Sequence, residues 1–272
     1  MSKVWFITGT SRGFGREFAV AALGRGDRVV ATARDAASLD DLAGEYGDAV
    51  LPLALDVTDR DAAFASVAAA VERFGRLDVV VNNAGYGLFG AVEEITPEQL
   101  RDQLEVNLFG VLHVTQAVLP VLREQGSGHI VQISTIGGVA AFPNLGGYHA
   151  SKWALEGLTE SLAQEVAGFG IKVTLVEPGG FATDWAGSSA THATPLPAYD
   201  GLREAMASRR GSSVPGDPTA TGPALLQVVD AEQPPLRVFF GAMPTQMIPG
   251  LYQSRLDTWE QWKDVSVAAD GH

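Results

Sequence analysis

Residues 3–23 read "KVWFITGTSRGFGREFAVAAL". An apolar run rich in β-branched and aromatic residues breaks into a glycine-rich turn, after which apolar residues recur with a helical period. Gly9, Gly13 and Gly15 fall where the strand hands over to the helix. Their G-x-x-x-G-x-G spacing is not the G-x-G-x-x-G of the dinucleotide fingerprint, but the mechanics are shared. Glycines let backbone amides approach a pyrophosphate, and the helix N-terminus behind them is electropositive. Glycine also serves ordinary turns. The place of this turn, directly after the first strand and opening the first helix, selects the anion-binding reading, with Ser11, Arg12 and Phe14 in the same loop.

Working outward, six more strand-like runs follow: "DRVVATA" (27–33), "AVLPLAL" (49–55), "LDVVVN" (77–82), "GHIVQIS" (128–134), "IKVTLVE" (171–177) and "LRVFFG" (236–241). Amphipathic helical stretches fill most of the gaps. Continuous Val/Ile/Leu runs mark strands buried on both faces, as in a parallel sheet covered by helices. The pattern predicts a doubly wound α/β fold, a seven-stranded parallel sheet in a single domain spanning 1–272. The composition shifts at about 184–222, where Gly, Pro, Ser and Thr dominate. An insertion this long is more often functional than idle, so it is read as a substrate lid, against the alternative of a mobile surface loop. The tail "VSVAADGH" (265–272) is expected to fray.

Composition narrows the function. The net charge of −13 argues against a nucleic-acid or anionic-membrane surface. No apolar run approaches the roughly 20 residues of a membrane span. "MSKVWFITG" enters a strand directly, so no secretory signal is expected. With no cysteine there is no disulfide, thiolate site or thiol nucleophile, and a cytoplasmic home is the simplest expectation. The histidines at 113, 129, 149, 192 and 272 lack metal-type spacing, no G-x-S-x-G elbow is present, and no metal is expected.

An anionic ligand must then be held by local groups. The second strand ends "VVATARD", with Ala33 and Arg34 where an NAD enzyme usually places an acidic residue for the ribose hydroxyls. Arg12 and Arg34 converging on one spot would suit a 2′-phosphate, which predicts NADP(H) in preference to NAD(H). Asp35 is the counterargument, because a small backbone shift would let it serve a 2′-hydroxyl.

Six stretches in colinear order carry a resemblance: "TGTSRGFG" (8–15), "LDV" (55–57), "NNAG" (82–85), "VNLFG" (106–110), "YHASK" (148–152) and "PGGFAT" (178–183). The chain resembles the short-chain dehydrogenase/reductase family, and "SKWALEGL" with the long C-terminal part looks most similar to its hydroxysteroid- and retinol-type branch. The resemblance implies a three-layer Rossmann fold and hydride transfer between a nicotinamide and a carbonyl or alcohol. It implies that Asp56 and Val57 flank the adenine, that Asn83, Ala84 and Gly85 line the cofactor cleft, and that Pro178, Gly179, Phe181 and Thr183 close over the carboxamide. It implies Tyr148 as proton donor, Lys152 as its partner and a ribose ligand, and Asn107 as a helix-kinking residue that anchors a water. It also implies a homo-oligomer, dimer or tetramer, paired through the helices carrying Asn107 and "ASKWALEGL", with Ala154, Gly157 and Ser161 permitting close approach.

The chemistry can also be built from the residues. Hydride arriving at a carbonyl carbon leaves charge on oxygen, so the site needs a proton donor and an oxyanion partner. A free phenol titrates near pH ~10, and a nearby cation lowers that value. Residues i and i+4 share a helix face, which brings Lys152 beside Tyr148. The family serine lies thirteen residues before the tyrosine, which lands on Thr135, with Ser134 one position too early. Adjacent strand residues point to opposite faces, so one of the two reaches the substrate: Thr135 is favoured, unless a bulge re-aims Ser134. Phe142, Trp185 and "MPTQMIPGLY" (243–252) predict an apolar carbonyl substrate of middling size, hence a ketoreductase. A non-catalytic NADP-binding sensor is the alternative, though a sensor has no use for a proton relay. Trp259 and Trp262 are expected on a helix packed against the core.

Overall fold

The computed structural model describes residues 2–210 and 214–271. Nine strands run β1 Val4–Thr8, β2 Arg28–Ala33, β3 Val50–Ala54, β4 Val79–Asn82, β5 Leu88–Phe89, β6 Gly128–Ile133, β7 Ile171–Pro178, β8 Thr191–His192 and β9 Arg237–Phe240. The helices are α1 Gly13–Gly24, α2 Asp40–Tyr46, α3 Arg60–Phe74, α4 Pro97–Leu104, α5 Gly110–Gln125, α6 Gly146–Val166, α7 Asp200–Arg210, α8 Thr221–Asp230, α9 Ala242–Gln261 and α10 Lys263–Ala268. The main sheet has seven strands in the order β3-β2-β1-β4-β6-β7-β9, all parallel. Each of its strands falls within a run expected from the sequence, save that β7 runs one residue further, to Pro178. The pair β5 and β8 was not expected, because two-residue strands carry no periodicity.

Both faces of the sheet are covered, which is why β1 and β4 are buried at every position. On one face α3, α5 and the end of α6 close over Phe6, Val30, Val80 and Ile130. On the other, α1, α2 and α8 cover Trp5, Ile7, Val29, Val79 and Val131. The chain builds outward from β1 to β3, then returns to lay β4 beside β1. The carboxyl ends of β1 and β4 flank that reversal, the crevice where open α/β sheets bind ligands.

Helix boundaries follow local chemistry. Asp59 caps α3 by accepting from Ala62 N, and Gly75 ends it in the left-handed region. Thr96 and Gln99 form a capping box on α4, with Pro97 at its first position. From Pro97 to Gln125 the helix is continuous and, by length and composition alone, apolar enough to cross a membrane. It is instead a wall of the domain: Val111, Val114, Val118 and Leu122 are buried in the core.

The segment after β7 is structured where it is described. It makes a 3-10 turn at Asp184–Ala186, adds β8 to β5, and forms α7. Its clasp is Glu94, a buried carboxylate. Glu94 accepts from Ala91 N (2.7 Å), Leu196 N (2.7 Å) and Arg203 Nη1 (2.6 Å), bonds that hold its carboxyl below the usual range against the effect of burial.

The tail is exposed throughout 265–271 and helical through Ala268, with backbone bonds such as Ser266 N to Trp262 O (3.1 Å). One expectation for the C-terminus is corrected. Trp259 lies on α9 and Trp262 in the turn between α9 and α10, and they are 68% and 61% exposed rather than packed on the core: α9 buries Pro244 and Ile248, and its outer half touches the domain through Arg255, which donates to Val139 O (3.0 Å). For the segment after β7, Glu94→Ala should make residues 184–210 at least about tenfold more susceptible to limited proteolysis, because local opening sets cleavage. The sheet core should melt as before, read by gel and by thermal denaturation.

Candidate active site

The reversal between β1 and β4 is tied by side chains. Asn83 Nδ2 donates to Thr8 O (2.9 Å) and Gly9 O (3.0 Å), while Thr8 Oγ1 accepts from Asn83 N (2.9 Å) and Ala84 N (3.0 Å). The glycine loop can sit this close only without side chains. Gly9 has φ +70°, and a Cβ on Gly15 would stand 2.3 Å from Gly9 O and 2.5 Å from Asn83 Nδ2. The N-terminus of α1 has no side-chain cap and no acidic residue in its first turn. Such a cradle fits a pyrophosphate by its own geometry. Phe14 meets Phe181 edge to face, with centroids 5.1 Å apart, which joins the glycine loop to the loop after Pro178. Gly179 N donates to Phe240 O (2.9 Å) and Thr183 N to Phe181 O (2.9 Å). Val57 is buried where Gly110 leaves room for it, and exposed Asp56 accepts from Thr58 N and Oγ1.

At the end of β2, Arg34 is exposed, with no ion pair or hydrogen bond among the described residues. Asp35 caps the following turn by accepting from Ala37 N (3.0 Å). The expected convergence of two guanidiniums is not found. Arg12 turns across the cleft to Asp184 (3.0 Å) and Ser188 Oγ (3.1 Å). In a strongly acidic chain, an unpaired guanidinium finds the nearest carboxylate, and both partners are exposed enough for the pair to be weak.

Between α4 and α5 the helix widens into a π-turn, Glu105–Phe109, with Asn107 buried in it. Asn107 Nδ2 donates to Tyr86 O (3.0 Å) and Ser151 Oγ (3.1 Å), and its Oδ1 accepts from Tyr86 N (3.1 Å). Gly85 faces it so closely that a Cβ there would lie 3.0 Å from Asn107 Oδ1. Ser151 Oγ in turn donates to Tyr148 O (2.7 Å), fastening the first turn of α6.

Tyr148 and Lys152 share the buried face of α6, and Lys152 Nζ donates to Ile133 O at the end of β6 (2.8 Å). Burial pushes the lysine down to about 8, opposed by the Glu156 carboxylate. Burial pushes the Tyr148 phenol up, and the Thr135 hydroxyl works against it. The expected lowering of the phenol by Lys152 is not seen: the group that works against burial is Thr135. Thr135, in extended backbone just past β6, donates its hydroxyl to Pro178 O (3.4 Å) and accepts from Gly137 N (3.2 Å), near enough to Tyr148 to act on its phenol. Ser134 is buried and points the other way: a Cβ on Gly138 would stand 2.5 Å from its Oγ and 2.9 Å from Glu156 Oε1. In front of Tyr148 stands Trp185, with ring centroids 4.8 Å apart, beside Phe89. Among the described residues no group of histidines and carboxylates could hold a metal.

A family model described as "short chain dehydrogenase" matches residues 3–193. The chain belongs to the short-chain dehydrogenase family. Oxidoreductase BOA17 of Botryotinia fuckeliana is 44% identical over 99% of this chain and 100% of its own. A 3-ketodihydrosphingosine reductase of Bacteroides thetaiotaomicron is 36% identical over 89% and 88%. A solved short-chain dehydrogenase from Streptomyces avermitilis, 42% identical, superposes with a TM-score of 0.92 over 98% of each chain. More distant solved structures hold either nicotinamide. A 3-ketoacyl-(acyl-carrier-protein) reductase from Brucella melitensis is complexed with NADH (29% identity, TM-score 0.73, 88% and 97% covered). A short chain dehydrogenase from Burkholderia cenocepacia is in complex with NADP (27%, 0.75, 96% and 97%). This short-chain dehydrogenase is thus an oxidoreductase with a nicotinamide cofactor.

Reading the sequence missed Ser151 and Asp184, which lie inside and just past quoted motifs. It also missed Glu156, Glu177 and Arg237. Charged residues inside otherwise apolar strands, "LVEP" and "LRVFF", were the available signal. Gly15→Ala should abolish nicotinamide binding, measured by calorimetry, because the added methyl meets backbone and the Asn83 amide rather than a side chain that can turn away.

Proposed function

We propose that this dehydrogenase is an NADP(H)-dependent ketoreductase acting on a mid-sized, largely apolar carbonyl compound. The observation that carries the reading is the meeting of Thr135, Tyr148 and Lys152 at the carboxyl end of the sheet, beside the glycine cradle. The bound nicotinamide would supply the hydride. Tyr148, held protonated by burial, gives the proton to the carbonyl oxygen, and Thr135 holds that oxygen as charge develops. Lys152 presents a cation beside the phenol, and Asn107 fixes the first turn of α6 through Ser151. Phe89 and Trp185 give the site an apolar wall, which supports an apolar substrate.

The preference for NADP(H) is supported by Arg34, exposed and without an ion pair or hydrogen bond among the described residues, and by Asp35, whose carboxylate is used in its own turn. Arg12 joins Arg34 on the 2′-phosphate by exchanging its weak pair with Asp184. An assembly of like subunits is supported by Phe109, Trp153 and Leu158, apolar and exposed on the helices that carry Asn107 and Lys152. Light scattering at micromolar concentration should give a dimer or tetramer; a monomer would refute it.

The test is NADPH oxidation across steroid, aromatic and long-chain ketones. Consumption with none of them, despite tight binding of NADPH, would refute the enzymatic reading. Thr135→Ala should cost on the order of a hundredfold or more in kcat, Thr135→Ser should stay active, and Ser134→Ala should be mild. Arg34→Ala should weaken NADPH about ten- to a hundredfold, the loss of charge-assisted bonds, and leave NADH nearly unchanged.

A further inference from the structure

Behind Lys152 lies a buried cluster that the chemistry above does not use. In the parallel register Leu175 stands opposite Arg237, so Glu177, two residues on, projects from the same face of the sheet as Arg237. That face lies under α6. Arg237 donates through Nε to Glu156 Oε2 (3.1 Å) and through Nη2 to Glu160 Oε2 (2.8 Å), and its Nε stands 3.5 Å from Glu177 Oε1. Glu156 and Glu177 are buried, while Glu160 is half exposed at the rim. One guanidinium thus serves three carboxyls, two of them out of water, and both buried carboxyls cannot carry charge cheaply. Burial raises Glu156 too, but Glu156 takes the direct guanidinium bond and faces the Ser134 hydroxyl, and both favour its charged form over that of Glu177. Glu177 takes neither. Burial first, and the Glu156 charge second, push it up to about 8, so it keeps its proton at neutrality.

Glu156 lies one helical turn beyond Lys152 on the same buried face of α6. The groups around this pair are Tyr148 and Glu160 on the helix itself, the Ser134 hydroxyl and Ile133 carbonyl from the β6 end, Glu177 from β7 and Arg237 from β9. The carboxylate that bears on the lysine is Glu156. We propose that Glu156 is a positioning residue acting through Lys152: its carboxylate, gripped by Arg237, is the counter-charge that lets a lysine keep its ammonium inside the protein beside Tyr148. This assignment rests on the reading of Lys152 as the partner of Tyr148, but the charge relation itself can be measured without turnover.

The sign is fixed by the chemistry. Burial has already brought Lys152 down to about 8, and removing a neighbouring negative charge lowers it further. The ammonium is then lost at a lower pH. The chain has four lysines, at 3, 152, 172 and 263, so NMR of 15N- and 13C-labelled lysine resolves them, with Lys152→Met giving the assignment. Glu156→Gln should move the Lys152 titration down by about one unit or more, Glu156→Asp should restore most of it, and Glu160→Gln, at the exposed rim, should leave it in place. Should Glu156→Gln lose the native circular dichroism, the charge-free Glu156→Met, of similar volume, takes its place: an unmoved Lys152 titration in folded Glu156→Met would overturn the proposal. So would an unmoved Lys152 in folded Glu156→Gln. In ketone reduction the alkaline limb of kcat should shift to lower pH with the lysine. A shifted lysine in a protein that reduces no ketone sinks the ketoreductase reading alone, and an unshifted lysine in an active one sinks this proposal alone.

Discussion

A lysine ammonium stripped of water is the constraint around which this molecule is arranged. Lys152 is buried on α6 and bonded to the carbonyl of Ile133, where β6 ends. A charge in that position needs compensation from several directions, and the parallel sheet supplies it because all its carboxyl ends open on one edge. β6 delivers Ile133, Ser134 and Thr135 in successive positions, one facing the lysine, one the acidic cluster and one the tyrosine. β7 and β9 deliver Glu177 and Arg237 to the same face. The π-turn delivers Asn107, which holds the start of α6 through Ser151.

The same edge explains how binding and chemistry come to share one cleft. Thr8 and Asn83 knit the ends of β1 and β4 together, and Gly15 lets the first helix begin against that knot. Phe14 and Phe181 then join the loop to the segment leaving β7. That segment carries Trp185 to Tyr148 and is fixed further along by Glu94. The apolar wall of the site is thereby tied to a charge pair formed far from it in sequence.

Much of this was legible in the amino-acid order. Strands covered on both faces are largely apolar, so all seven announced themselves. The glycine loop, Asn107, Tyr148 and Lys152 were legible because their chemistry demands fixed residue types at fixed spacing. Counting back from Tyr148 pointed to Thr135, and the alternation of a strand agrees with Ser134 lying on the side of Glu156. What failed depends on partners distant in sequence. Arg12 turned to Asp184, a contact between residues 172 positions apart by their numbers. Trp259 and Trp262 showed a helix but not whether anything would lie against it. Burial, not the neighbouring cation, set the direction of the Tyr148 phenol, and desolvation is a property of the whole packed site.

The π-turn at Glu105–Phe109 also constrains the history of the chain. An α-helix advances about 100° per residue, and a π-turn holds one residue more than the α-helix it interrupts. The two halves of the 97–125 helix are offset in phase by about that angle. Gln103 before the turn and Val111 and Val114 after it are buried with that offset in place. Deleting any one residue there would yield a more regular helix with its second half rotated out of register, the core-facing valines swung aside. Substitutions can be tolerated one at a time along this stretch, but its length is fixed to the residue.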